Sequence, residues 1–217
     1  MKEKRFGNGE FYHVCNRGVD KRNVFLDGRD FDRFLQGLDE FNTREPFGGL
    51  YARFLIEFSK RRRPTSRIDY EKLVDVVCYC LNPNHFHLLL RQLVDGGVSE
   101  FLKRLGGYTK YFNCRYKRSG VLFQGKSKVT HIESNEQLLH TSAYINLNGL
   151  VHRLKKSASR SSWSQYVDLT EGICETDIIL SQFKSIQEYK NFAEASLADI
   201  LERKTLHKDL ELMLLES

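Results

Sequence analysis

Short apolar runs separated by turn residues set the rhythm of the first 150 residues. Residues 10–19, "EFYHVCNRGV", mix aromatic and β-branched side chains and close on Gly18, which predicts a strand. In "DGRDFDRFLQGLDEF" (27–41), Phe31, Phe34, Leu35, Leu38 and Phe41 recur at helical spacing. Residues 43–67 are broken by Pro46, Gly48 and Gly49; "LYARFLIEF" suits a helix or a strand, and "KRRRPTSR" reads as an exposed loop. "KLVDVVCYCL" (72–81) predicts a strand, and Asn82-Pro83-Asn84 turns the chain back into "HFHLLLRQL" as an antiparallel hairpin. A helix is expected from about Ser99 to Tyr116, with Phe101, Leu105, Tyr108 and Phe112 as its apolar stripe. "GVLFQGKSKVTHI" (120–132) follows as a turn and a strand. "SNEQLLHTSAYINLN" (134–148) is a helix opened by a Ser134/Gln137 capping box.

The resulting order is strand, helix, strand, strand, helix, strand, then one more helix. It matches an α+β fold, a ferredoxin-like or RRM-like four-stranded antiparallel sheet with helices on one face. The first and third strands then lie centrally. Residues 1–151 are expected to form this domain and 152–217 a basic linker with a helical C-terminal extension. In that extension Trp163 and Tyr166 are candidates to pack on the domain, and acidic helices could cover a face, mediate oligomerisation or guide nucleic acid. Monomer and homodimer both stay open.

Composition narrows the partners. The net charge is +6 and the sequence pI near 9.0, and no apolar run is long enough to span a bilayer. The N-terminus lacks the apolar stretch of a signal peptide, and five scattered cysteines suit a reducing compartment, so a cytoplasmic protein is expected. Residues 102–130 hold Lys103, Arg104, Lys110, Arg115, Lys117, Arg118, Lys126 and Lys128 and no acid, interleaved with Tyr108, Tyr111, Phe112, Tyr116 and Phe123. Cations for phosphates and rings for bases are what a nucleic-acid surface needs. Arg17, at the end of the first strand, is a further candidate phosphate contact.

Two patterns carry chemistry. His85 and His87, at i and i+2 on a strand, project from one face and can hold one metal ion. On the 134–148 helix, Leu139, Ala143, Leu147 and Leu150 form an expected packing stripe, which sets Tyr144 and Asn148 on an adjacent polar stripe one turn apart. Two imidazoles and an amide oxygen leave positions open for phosphate oxygens, and a tyrosine beside them could attack a phosphodiester. Tyr108 and Tyr111 are rival nucleophiles, the first better suited to the core and the second to base stacking. Cys78 and Cys80 with the histidines could mimic a Cys2His2 zinc site, though four ligands would need one face and one register.

The segments "FYHVCNRGVDKRNVFLD", "NPNHFHLLL", "GGYTKYFNCRYKRSGVLFQGKSK" and "LLHTSAYINLNGLV", in that order over Phe11 to about Val151, resemble a REP-associated tyrosine transposase, one of the single-tyrosine HUH transposases. The resemblance implies a metal-dependent endonuclease and strand transferase acting on single-stranded or hairpin DNA through a 5′-phosphotyrosine. By position it makes Tyr144 the nucleophile and His85, His87 and Asn148 the ligands of Mg2+ or Mn2+. The family usually has Asn-Pro after the tyrosine; here Asn148 precedes Gly149, which is expected to end the helix in a left-handed conformation instead. The competing reading is a non-catalytic RRM-like binder of single-stranded nucleic acid, and a small-molecule metalloenzyme is a third.

Overall fold

The computed structural model describes residues 6–44 and 71–215, apart from the side chains of residue 156 and of 205–215; "LYARFLIEF" and "KRRRPTSR" lie outside the described residues. The strands are β1 (Phe11–Arg17), β2 (Val74–Asn82), β3 (His85–Gln92), β4 (Lys128–Ile132) and β5 (Arg160–Ser161). The helices are α1 (Gly28–Glu40), α2 (Gly97–Leu105), α3 (Tyr108–Arg115), α4 (Asn135–Asn146), α5 (Asn148–Val151), α6 (Trp163–Val167), α7 (Asp177–Leu180) and α8 (Ile186–Leu215). The sheet order is β4-β1-β3-β2-β5, antiparallel throughout, with β1 and β3 at its centre as the ferredoxin-like order requires.

Two expectations need correction. The sheet has five strands rather than four, because residues 160–161 pair with the outer edge of β2 as Leu81↔Arg160 and Cys80↔Ser161. A two-residue strand has no alternation to read; only the returning chain creates it. Helices also cover both faces, not one. Tyr12, Val14, Phe86, Leu88 and Leu90 pack under α1, α2 and α3 with Phe34, Leu38, Phe101 and Tyr108. Cys78, Cys80 and Leu89 pack on the opposite side against Leu138, Ala143 and Ile145 of α4, and against Tyr166, Ile179, Tyr189 and Ala193 of the C-terminal segment. A register shift between Val76 and Cys78 turns Val77 and Cys78 together into this second layer.

The C-terminal segment therefore covers a face. Tyr166 donates to the Val77 carbonyl (2.8 Å), Ser162 to Asn146 Oδ1 (2.6 Å), and Asn146 Nδ2 to Tyr189 Oη (2.9 Å). The expected helix 99–116 is divided at Gly106-Gly107, where the Gly107 N–H bonds back to Arg104 (2.9 Å) rather than to residue 103. Of the expected stripe, Ala143 and Leu147 are buried and Leu139 packs partly buried beside them, with Leu138, Ser142 and Ile145 completing the covered face, while Leu150 of α5 is exposed, because the helix breaks before reaching it.

One buried charge ties α1 to α3. Asp30, fully buried, accepts from the Leu26 N–H (2.8 Å), Tyr116 Oη (2.8 Å), Tyr111 Oη (3.2 Å) and Arg115 Nη1 (2.6 Å). Arg115→Ala should leave that carboxylate without its cationic partner and lower the urea midpoint of unfolding at neutral pH. An unchanged midpoint would show that the remaining donors suffice.

Candidate metal and phosphate site

Strand parity builds the site. On β3, Phe86, Leu88 and Leu90 enter the first core, so His85 and His87 face the side of the sheet covered by α4. Both are buried, at 7% and 8% exposure. The turn is the two-residue Pro83-Asn84 connection between β2 and β3, and it brings Asn82 directly opposite His85.

A buried network joins this turn to α5. Asn84 Oδ1 accepts from His85 Nδ1 (2.6 Å), so the lone pair of that neutral ring lies on Nε2. Asn82 Nδ2 stands 2.9 Å from this Nε2 and donates to Asn148 Oδ1 (2.6 Å). His85 Nε2 and Asn148 Oδ1 are 3.2 Å apart. Two acceptors thus converge on one positively polarised N–H2 group, which sits where both would also meet a cation. Asn148 is fully buried and its Nδ2 has no hydrogen-bond partner among the described residues. The two converging lone pairs fit a bound divalent ion, and imidazole with amide oxygen suits a hard or borderline one; the unpaired Nδ2 is a donor and fits an acceptor such as water or a phosphate oxygen.

Tyr144 lies edge-on to His87, with ring centroids 5.5 Å apart, and to His13 of β1 at 6.2 Å. Burial pushes its phenol above the usual value, opposed by the nearby Asn148 amide. The His152 ring, just beyond α5, is 4.8 Å from that of His85. His85 is pushed down to about 4, first by burial and then by His152; His87 falls well below the ordinary value through burial and its neighbours His13 and His85. Both rings are therefore neutral at pH 7, the form that donates a lone pair to a metal.

The histidines open into a cleft of about 350 Å³ lined by Cys15, Asn16, Arg17, His85, His87, Gln124 and Lys128. Two cations and no carboxylate line it, a setting for an anionic ligand. Of the basic candidates, the structure brings Arg17 and Lys128 to the cleft, with exposed Lys126 beside Lys128 in the chain. Lys110 and Lys117 are exposed away from it. The remaining three, together with Tyr111, are engaged within the fold. Arg104 pairs with Glu100 (2.9 Å) and donates to the Thr43 carbonyl (2.6 Å). Arg115 and Tyr111 bind Asp30 across the sheet from the histidines. Arg118 holds Asn113 Oδ1 (2.7 Å) and the Val121 carbonyl (3.1 Å). The acid-free stretch 102–130 is thus not one continuous surface: its acids come from elsewhere in the chain.

Several neighbours carried no readable signal. Asn82 and Asn84 had the ordinary sequence of a turn, and His13 and Cys15 that of an ordinary strand; only the β1–β3 pairing sets Cys15 opposite His87. Tyr108 is buried and donates to the Val24 carbonyl (2.6 Å), in the core on the far side of the sheet. Cys78 and Cys80 are buried under α4, and the donor cluster among the described residues is instead His13, Cys15 and His87. The expected left-handed Gly149 cap is also corrected. The break falls at Leu147 (φ −103°, ψ 10°), and Gly149 lies inside α5, where an added Cβ would come within 2.8 Å of Ser159 Oγ. Close approach, not positive φ, explains the glycine.

No family model matches the chain, and no curated protein matches it. Among solved structures it is similar to a REP-associated tyrosine transposase bound to a REP hairpin, at 14% identity over 77% of this chain and 86% of that chain, with a TM-score of 0.46. That likeness assigns no residue and no activity to this chain.

The lowered His85 value has a measurable consequence. Between pH 6.5 and about 4 the unfolded chain binds a proton that folded His85 refuses, so stability is lost as pH falls through this window and the loss levels off near pH 4. Unfolding of the parent and of His85→Gln across pH 4–7 should therefore give a steeper pH slope for the parent. Parallel curves would contradict a neutral, desolvated ring.

Proposed function

We propose that this protein is a metal-dependent single-stranded DNA endonuclease and strand transferase in which Tyr144 is the nucleophile. The observation that carries the reading is that His85 pairs with Asn148, His87 lies edge-on to Tyr144, and both histidines line a cleft with two cations and no acid. His85, His87 and Asn148 would hold a divalent ion, Mg2+ or Mn2+, which supplies Lewis-acid polarisation of a phosphodiester. Arg17 and Lys128 bind and orient the backbone phosphates. Tyr144 Oη gives up its proton to solvent as it attacks phosphorus, the bond to the 3′ oxygen breaks, and that oxygen takes up a proton and leaves as a free 3′-hydroxyl. The 5′ end remains as a phosphotyrosine ester, which conserves the bond energy for rejoining.

The sequence motifs from Phe11 to Val151 support the same reading, because they resemble the REP-associated tyrosine transposases over the whole catalytic core. Hairpin DNA is then the expected substrate, and movement or processing of such hairpins the expected outcome. An RRM-like binder fits less well. Such a module presents rings on an open sheet face, whereas here both faces carry helices and no phenylalanine, tyrosine or tryptophan lines the cleft.

Three measurements test the proposal. With a labelled DNA hairpin and Mn2+, the parent should form a protein–DNA adduct that survives denaturing electrophoresis, and Tyr144→Phe should form none while keeping its DNA affinity. Peptide mapping of the adduct to any other tyrosine would overturn the assignment. His87→Ala should reduce cleavage by about a hundredfold or more without unfolding the chain, and normal cutting by that variant would remove it from the site. Lys128→Ala should weaken binding for all sequences alike and lower the salt slope of affinity by about one. An unchanged slope would place the phosphates elsewhere.

A further inference from the structure

On β1, His13 and Cys15 stand at i and i+2 and share the face that His85 and His87 share on β3. Cys15 is directly opposite His87, and His13 is opposite Leu89, one diagonal step from His87. Directly opposed side chains start with Cβ atoms about 5 Å apart, and diagonal neighbours stay within reach of an imidazole. The structure realises this triangle: the donor atoms of His13, Cys15 and His87 all lie within 4.8 Å of one another, with His13 Nε2 and His87 Nδ1 at 2.8 Å. Cys15 and His87 also line the cleft, so a fourth position faces solvent.

We propose that His13, Cys15 and His87 form a second metal site, selective for a thiophilic ion such as Zn2+, which competes with the hard-ion site for His87. A thiolate with two imidazoles is a soft donor set, unlike the imidazole and amide-oxygen set of His85 and Asn148. Tetrahedral zinc places its nitrogen and sulfur ligands at about 2.0–2.3 Å, hence roughly 3.3–3.8 Å from one another. Small side-chain rotations bring the three donors to that spacing, with the His13–His87 hydrogen bond exchanged for two metal bonds and the thiol proton released to solvent. The competition follows from valence: a neutral imidazole has one lone pair, so a His87 bound through the nitrogen facing His13 carries its proton on the other. Only this competition rests on the reading given under Proposed function; the soft site stands on its own geometry.

Cobalt is the probe, because its bond to thiolate absorbs in the near ultraviolet. Titration of the full chain with Co2+, without DNA, should produce a charge-transfer band that Zn2+ abolishes. The band should be absent in Cys15→Thr, a substitution suited to a strand, weakened in His13→Gln, and retained in Cys114→Ser, which removes an exposed thiol. No band in the parent, or a band that survives in Cys15→Thr, overturns the site. The competition is read by electron paramagnetic resonance of Mn2+: displacing it should need at least about tenfold more zinc in Cys15→Thr than in the parent. Equal zinc midpoints overturn the competition. A parent that binds cobalt through Cys15 yet never binds Mn2+ would instead count against the catalytic reading and leave the soft site standing.

Discussion

The hydrogen-bonded set Asn84–His85–Asn82–Asn148 is the constraint on which the site depends. Asn82, His85 and Asn148, removed from water, cost heavily unless they pair, and with half-buried Asn84 they pair in an order that sets the His85 tautomer. The same bonds fasten the β2–β3 turn to α5, so the tightest point of the sheet and the end of the tyrosine-bearing helix are positioned together. Asn148 keeps one unpaired nitrogen even so. That cost, taken at the one place where two lone pairs converge, is the mark of a site shaped for a ligand rather than for stability alone.

The arrangement depends on segments far away in the chain. Asn146, two residues before Asn148, is held by Ser162 and Tyr189, and Lys204 of α8 donates to the Val151 carbonyl (3.2 Å) at the end of α5. The C-terminal segment thus braces the helix break at Leu147 while it buries the second face of the sheet. Packing and site geometry are one problem here, because the elements that exclude water from Cys78 and Leu89 also aim Asn148 at His85.

Electrostatics divide the basic residues by task. Arg104, Arg115 and Arg118 spend their guanidinium groups on carboxylates and carbonyls of the fold, which suits a planar group with several fixed donors. Arg17 and Lys128 stay at the cleft without ion-pair partners among the described residues. Charge density along the sequence overstated the interface, since the neutralising acids Asp27, Asp30 and Glu100 lie outside the acid-free stretch or on another helix.

By itself the sequence determined the strand order, the central place of β3, the shared face of His85 and His87, and the capped helix carrying Tyr144, because these follow from period-2 and period-3.6 patterns and from local capping chemistry; which side of the sheet the histidines face was decided by the structure. Tertiary structure alone decided the fifth strand, the second helical layer, the break at Leu147 and the partners of Asn148. Each of these is a contact between segments distant in sequence, and a two-residue strand, a buried turn asparagine or a glycine admitted for Ser159 leaves no periodic trace. The pairing of His13 and Cys15 with His87 belongs to the same class: each residue is unremarkable on its own strand, and only the antiparallel register of β1 against β3 makes them neighbours.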